Sequence, residues 1–503
     1  MRRVPTAFPD GQFYASIARS LQLHGVGVPS EIRHSPVAVD HIPFYGPVYF
    51  ALTARAFDWF GVSLRSQRSV SLAGALLVIV AAAFLASTVS GQQWRWLWAI
   101  TLVLLTPEIR QWATVGTMAT LGVGFELAAL AIFVHGFGTG RPGRFGLGAG
   151  LFLLLAALTT PRTYPFIGGF IAAGLVWVGT TRDGWRDRAR QFLVSIATLA
   201  VGMTVWAIAS HGDPIRWVRY MSFILSHEDS DVAILPTAER QWLFSPAQTV
   251  TPVIAVSAAL LVAWIKSRRP GALQADRARA TRFVLLTCWT AFVAGAVSMN
   301  LTFFFDVYVG LPLFVAVLAM PYEDLQVGRR TLGAALALVL VLDGTLGVIW
   351  YARVAATWEA RNPRALADFF DRYVPDGSTV VGPEGAYYTA VERTGAVYRK
   401  MDPRSPADWA QWVPMIEPEA LTRARDADVR QTHARYFIWP AGGTIPDEYR
   451  CVLAHPVAVF VPAPHHLDRL GWLGARTRDT GYLESNLYRL PAGCPTGYDP
   501  THS

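Results

Sequence analysis

The residues whose types could do chemistry are few, and most interrupt or flank apolar sequence. Asp10 precedes a segment of helical spacing, Gly11–Leu23. Its carboxylate could take a proton from a reacting hydroxyl, or it could simply cap that helix, since aspartate is a favoured N-cap. Arg162 stands in the turn Thr159-Thr160-Pro161-Arg162-Thr163-Tyr164. It could hold a phosphate, or snorkel to a membrane interface. His41 could bind phosphate or a metal, although a lone histidine is usually neither. Glu108 and Arg110 could supply an acid and an anion site, or pair with each other. Arg216, Arg219, His227, Glu228, Asp229 and Asp231 share one long connection, His211–Gln248, which could close over a substrate or be a solvated face. Glu126 and Asp343 lie inside apolar stretches, where ionisable groups are functional suspects or helix-packing hydrogen bonds. No His/Cys cluster has ligand spacing, so no metal residue is assigned, and a divalent ion stays open as a cofactor. His465-His466 reads as a solvent-facing pair. No glycine-rich phosphate loop follows a strand, so no nucleotide site is needed.

The elements that must position these residues are mostly membrane helices. Of 503 residues, 52% are hydrophobic and only 16% charged, against about 25% charged in ordinary soluble domains. The excess collects in blocks long enough to cross about 30 Å of hydrocarbon. The spans read as Ser69–Val89, Trp96–Pro107, Gly116–Gly136, Phe145–Leu158, Pro165–Thr180, Phe192–Ser210, Thr249–Ile265, Phe283–Met299, Phe303–Met320 and Leu332–Tyr351. Trp96–Pro107 and Phe145–Leu158 are short, and must extend into their flanks or stop below one surface. The glycines of Gly146–Gly150 and Gly168-Gly169 suit close helix packing. The organisation expected is therefore an outer segment over residues 1–68, a transmembrane bundle over 69–351 and a soluble domain over 352–503.

Basic residues orient the bundle. One set of alternate loops carries Arg95, Arg141, Arg144, Arg182, Arg186, Arg188, Arg190, Lys266, Arg268, Arg269, Arg277, Arg279, Arg282, Arg329 and Arg330. The opposite loops carry only Arg110, Arg162, Arg216, Arg219 and Arg240. The positive-inside rule puts the first set in the cytoplasm and both ends of the bundle outside. The net charge of +8 then reports orientation, and nucleic acid is excluded as a partner because the arginines share no soluble face. Ala7–Leu23 and Pro43–Val62 read as two amphipathic helices lying at the interface; Arg55 and Asp58 argue against a span through the second.

Several of these segments, in order, resemble a known family. Pro9-Asp10-Gly11-Gln12-Phe13-Tyr14 with Ile17-Ala18-Arg19-Ser20-Leu21 looks like the first external loop of GT-C glycosyltransferases, membrane enzymes such as protein O-mannosyltransferases and aminoarabinose transferases. His41-Ile42-Pro43-Phe44-Tyr45-Gly46-Pro47-Val48-Tyr49-Phe50, then Phe57–Ser63 and Arg68-Ser69, is similar to the second juxtamembrane helix and the start of the next span. Phe305-Asp306-Val307-Tyr308 with Leu311-Pro312 resembles a late "Y…LP" span, and Arg364–Val381 the start of the exported domain of bacterial members. The chain departs from the pattern at Gly11, where the family has a second acid, and at Val115–Ala119, where members often carry one; Glu108 is the nearest substitute. The family also has a span before the aspartate loop, so an in-frame apolar stretch is expected upstream of Met1.

The resemblance implies a helical membrane bundle with an exported α/β domain, set in the bacterial plasma membrane. It implies inverting transfer of a sugar from a polyprenyl-phosphate donor to a hydroxyl of a lipid, glycan or protein acceptor at the outer face. Asp10 becomes the base; Arg162, His41 and Arg110 the phosphate-binding candidates; Glu108, Tyr14 and Tyr45 the second acid and acceptor candidates. A transporter, a lipid-handling protein or an inactive lipid binder of the same fold is the alternative.

From Trp358 the sequence reads as a small α/β domain. Pro363–Tyr373 is the helix, with strands at Thr379–Val381, Ala434–Trp439, Val457–Val461 and Asn486–Leu490. Cys451 and Cys494 both fall here. An oxidising compartment permits a disulfide between them, with two free thiols as the other outcome.

Overall fold

The structure is a computed structural model. It describes residues 9–27, 42–90, 95–137, 139–179, 185–219, 221, 275–298, 306–320, 355–378, 380–381, 435–442, 455–464 and 484–491, with isolated positions between. The expected spans Thr249–Ile265 and most of Leu332–Tyr351, and the residues Cys451, Cys494, His465 and His466, lie outside the described residues.

The helices in order are α1 (Pro9–His24), α2 (Ile42–Tyr45), α3 (Val48–Phe60), α4 (Leu64–Ser90), α5 (Arg95–Leu105), α6 (Pro107–Val115), α7 (Ala119–His135), α8 (Pro142–Ala157), α9 (Tyr164–Gly179), α10 (Trp185–His211), α11 (Ala275–Ser298), α12 (Leu311–Ala319) and α13 (Pro363–Tyr373). Two of them, α4 and α10, each of 27 residues, are long and apolar enough to cross a membrane. At 1.5 Å per residue each runs about 40 Å. Both turn apolar side chains outward: Leu76 and Val80 on α4, Leu193, Val201 and Val205 on α10. Such exposure suits hydrocarbon, not water.

The expected spans that fall on described residues coincide with helices whose ends are shifted, and of these only α4 and α10 have the length and apolarity to cross a membrane. Phe145–Leu158 gains a turn, because Pro142 provides a start at which its missing N–H costs nothing. Trp96–Pro107 stays short: α5 has 11 residues and stops where Thr106 turns extended before Pro107, the usual effect of a proline on the residue before it. Arg95, assigned to a loop, is buried and donates to the Met320 carbonyl at the end of α12. Glu108 and Arg110, assigned to an external turn, stand instead in the first turn of α6.

Small residues let the helices approach. A Cβ on Gly74 of α4 would lie 2.5 Å from the Leu121 nitrogen of α7. Hydroxyls close the same seam, Ser71 Oγ donating to the Thr117 carbonyl at 2.7 Å and Thr120 Oγ1 to the Ser71 carbonyl at 2.6 Å. Gly146 and Gly150 serve the contact of α8 with α10, and Gly169 that of α9 with α11, whereas Gly168 faces open space.

Proline also divides the segment Pro43–Val62. Gly46-Pro47 breaks it into α2 and α3, and α3 has 13 residues, about 20 Å, too short to span. Its outer end shows Trp59 and Phe60 to the surroundings. Asp58 accepts from Gln22 of α1 at 2.7 Å and from Arg55 at 3.2 Å. At the other end of the chain, four strands form a sheet in the order β1 (Val380–Val381), β2 (Tyr436–Pro440), β4 (Ser485–Arg489), β3 (Ala458–Phe460). The β1–β2 pair is parallel and the other two pairs are antiparallel. α13 is capped by Asn362, whose side chain accepts from the Arg364 N–H at 3.2 Å. It lays Phe369 against Phe460 with ring centroids 5.5 Å apart.

Candidate functional site

The site is built where α1 enters the bundle. Residues 11–18 are buried on every side of the helix, so α1 is not the half-exposed interfacial helix its pattern predicts. Its first turn is seated by Gly11. A Cβ there would lie 2.9 Å from the Val115 carbonyl oxygen and 3.3 Å from that of Gly116. Gln67 of α4 fastens the same place, its Nε2 donating to the carbonyls of Gly11 and, at 2.7 Å, Gly116. The position where the resembled family has a second acid therefore has no room for any side chain, and two carbonyl oxygens would repel a carboxylate.

One turn further, Tyr14 points into an aromatic nest. Its ring meets those of Tyr45, Tyr49 and Phe50 edge-on at centroid distances of 5.4, 6.2 and 6.1 Å. Its hydroxyl accepts from Arg162 Nη1 at 3.4 Å. Tyr45 is delivered by the close approach of Gly46, which has a φ of 91° and lies against the Leu158 carbonyl. The Val48 N–H donates to that same carbonyl at 3.1 Å. Burial pushes the Tyr49 phenol above its ordinary value, and the Ser71, Gln67 and Thr53 side chains offset only part of that.

Arg162 itself is half-buried on a single 3₁₀ turn, Pro161–Thr163, between α8 and α9. Thr160 caps the turn by accepting from the Arg162 N–H at 3.4 Å, and Thr163 Oγ1 donates to the Thr160 carbonyl at 2.8 Å. These bonds fix the turn from within, so the guanidinium is held by rigid backbone. Behind it, Tyr308 lies fully buried in a π-helical turn, Asp306–Gly310; such turns are frequent at functional sites. Its ring packs against Gly122, where a Cβ would be 3.2 Å from Cε1, and the methyl groups of Thr160 and Thr163 meet the same point at 3.3 and 3.2 Å. Glu126, one turn along α7 from Gly122, is fully buried, and neither oxygen has a hydrogen-bond partner among the described residues.

The structure thus brings together Arg162, Tyr14 and Tyr45. Asp10 opens α1, next to the Gly11 contact with the end of α6. Glu108 and Arg110 stand near the opposite end of α6, about 10 Å along its axis for Glu108. The side chains of Asp10, Glu108 and Arg110, and all of His41, lie outside the described residues. So does most of His211–Gln248, but its beginning packs on the site: Trp217 Nε1 donates to the Pro43 carbonyl at 3.3 Å and Met221 is buried. Among the described residues no group of three or more His, Cys, Asp or Glu is placed to hold a metal ion.

Sequence reasoning missed Tyr308, Gln67 and Tyr49 as parts of this neighbourhood. Tyr308 and Tyr49 stand within segments that resemble the family but receive no role there, and Gln67, just ahead of an apolar run, offers only its polarity as a signal.

No family model matches the sequence, and no curated protein sequence matches it. Solved structures do. ArnT from Cupriavidus metallidurans bound to undecaprenyl phosphate aligns over 98% of this chain and 96% of its own, at 12% identity and a TM-score of 0.58. Its apo form gives the same identity and TM-score over 98% and 95%. The chain has the ArnT fold. The oligosaccharyltransferase of Archaeoglobus fulgidus in the apo form aligns over 87% of this chain and 66% of its own, at 12% identity and a TM-score of 0.45, too low to extend that statement.

Within the ArnT fold, which the alignment follows nearly end to end, the membrane-type helices α4 and α10 and the small C-terminal sheet are parts of one architecture.

Proposed function

We propose that this protein is a membrane glycosyltransferase that moves a sugar from a polyprenyl phosphate to a hydroxyl acceptor with inversion. The observation that carries the reading is Arg162 set on the Tyr14 hydroxyl beside Tyr45, in a chain whose fold follows ArnT, an aminoarabinose transferase crystallised with undecaprenyl phosphate.

In this reading Asp10, at the opening of α1, takes the proton of the acceptor hydroxyl. The acceptor oxygen forms its bond to the anomeric carbon as the bond from that carbon to the phosphate oxygen breaks. The electron pair leaves with the lipid phosphate, and displacement from the opposite face inverts the centre. The transition state has oxocarbenium character, as in glycoside hydrolysis. A guanidinium pre-positioned at the departing phosphate stabilises the charge that develops there, and it fits phosphate oxygens through paired N–H groups. Arg110 and His41 are further phosphate candidates and Glu108 a second acid; Tyr14 and Tyr45 line the acceptor side. The chain sits in the bacterial plasma membrane, with residues 69–351 as the bundle and residues 352–503 exported.

The donor class tests this reading. Purified protein in lipid nanodiscs should transfer from a polyprenyl-phosphate sugar and not from a nucleotide sugar. Transfer from a nucleotide sugar with no lipid carrier present would overturn it. One observation favours a second reading, a non-catalytic lipid binder: the missing second acid at Gly11. Binding of undecaprenyl phosphate without turnover of any lipid-linked sugar would decide for that.

A further inference from the structure

Among the described residues three glutamines are fully or almost fully buried, Gln12, Gln67 and Gln191. Two of them use their amides to bolt helices together. Gln67 donates to the Gly11 and Gly116 carbonyls, and Gln191 donates to the Phe133 carbonyl at 2.6 Å. Gln12 does neither. It is 0% exposed, and both Nε2 and Oε1 lack a hydrogen-bond partner among the described residues. Leaving both ends of a buried carboxamide unsatisfied is costly, and native structures seldom do so without a functional reason.

The position of Gln12 supplies that reason. It lies in the first turn of α1, two residues after Asp10 and two before Tyr14. The Gly11 contact and the Gln67 clamp hold this turn rigid. On the same helical face, two turns on, Ser20 is also buried with its Oγ unpartnered among the described residues. A carboxamide has one acceptor end and one donor end. A phosphate at neutral pH offers acceptors only and would leave Oε1 unsatisfied, while an apolar chain would satisfy neither end. Neighbouring hydroxyls satisfy both, one accepting from Nε2 while the other donates to Oε1.

We infer that Gln12 is a carbohydrate-reading residue of this site, which binds a pair of adjacent sugar hydroxyls through its carboxamide. The inference rests on the glycosyltransferase reading above and adds to it a residue that sets sugar specificity. The hydroxyl pair can belong to the donor sugar or to a glycan acceptor, and the experiment separates the two.

The test compares wild-type protein with Gln12→Leu in nanodiscs by thermal melting and by binding of four probes. These are undecaprenyl phosphate, undecaprenyl-phosphate mannose, undecaprenyl-phosphate aminoarabinose and methyl mannoside as a soluble acceptor surrogate. Replacing an unsatisfied buried amide by an apolar group of similar size should leave melting unchanged or raise it. Binding of sugar-free undecaprenyl phosphate should be unchanged, while affinity for a lipid-linked sugar falls about 10- to 100-fold, the loss of two hydrogen bonds. A fall confined to methyl mannoside assigns the hydroxyls to the acceptor and equally supports the inference. Unchanged affinity for every sugar probe overturns it. So does an equal loss for undecaprenyl phosphate, or a lowered melting temperature, because either makes the amide a structural group. If wild-type protein fails to bind undecaprenyl phosphate, the proposed function falls instead, and the methyl mannoside comparison still judges Gln12.

Discussion

Helices α1 and α13 have similar sequence patterns and opposite fates. Both show apolar residues at helical spacing with polar residues between them. α13 obeys the pattern: Leu366, Ala367, Phe369 and Phe370 are buried, while Asp368, Asp371 and Arg372 stay exposed. α1 does not, since Gln12, Ser16 and Ser20 are as buried as Phe13 and Ile17. The amphipathic pattern reports that one face is buried; it does not report whether something else covers the other face. α13 meets the rest of the protein on one side through Phe460 of the sheet. α1 is enclosed by α3, the start of α4, the end of α6 and the Arg162 turn. A helix whose polar side is enclosed departs from the local rule, and such departures concentrate at functional sites. The difference teaches that one sequence pattern can leave a helix half exposed, as in α13, or wholly enclosed, as in α1, and the proposed chemistry falls on the enclosed one.

Substitutions at three positions break or sharpen this contrast, in descending order of effect. Asp10→Asn should lower the transfer rate by about 10²–10⁴-fold, the usual worth of a positioned base. Undecaprenyl-phosphate binding should persist, because the guanidinium of Arg162 is untouched. Turnover at the wild-type rate would remove Asp10 from the chemistry. Phe370→Ala on α13 should cost about 3–5 kcal/mol of local stability, as truncation of a fully buried aromatic does. Hydrogen exchange in β2 and β4 should quicken, while transfer by the folded fraction stays unchanged. A selective loss of transfer would place the sheet inside the mechanism and erase the contrast. Gly11→Ala is the smallest, about 1–3 kcal/mol for overpacking against the Val115 and Gly116 carbonyls. A lowered melting temperature is expected, and Gly11→Asp should be worse. If Gly11→Asp instead melts normally and raises turnover, the site does have space for the missing acid.

Much of this protein was determined by the sequence alone. The length and apolarity of Leu64–Ser90 and Trp185–His211 suffice to make them helices of membrane type. Asn362-Pro363 starts α13 by capping and by the geometry of proline. The strands of the C-terminal sheet fall within a residue or two of their sequence assignments, because short apolar runs between turn residues have few alternatives. Only tertiary structure decided the rest. That Arg162 meets Tyr14, 148 positions away, depends on Gly46 approaching the Leu158 carbonyl, and no local pattern encodes that contact. That Gly11 leaves no room for a second acid depends on where α6 ends. That Gln12 is buried without a partner among the described residues while Gln67 is clamped depends on which neighbours surround each amide. Periodicity acts along the chain and reads one helix at a time. A site is made across the chain by packing, where the same residue type is a bolt in one place and a free hand in another.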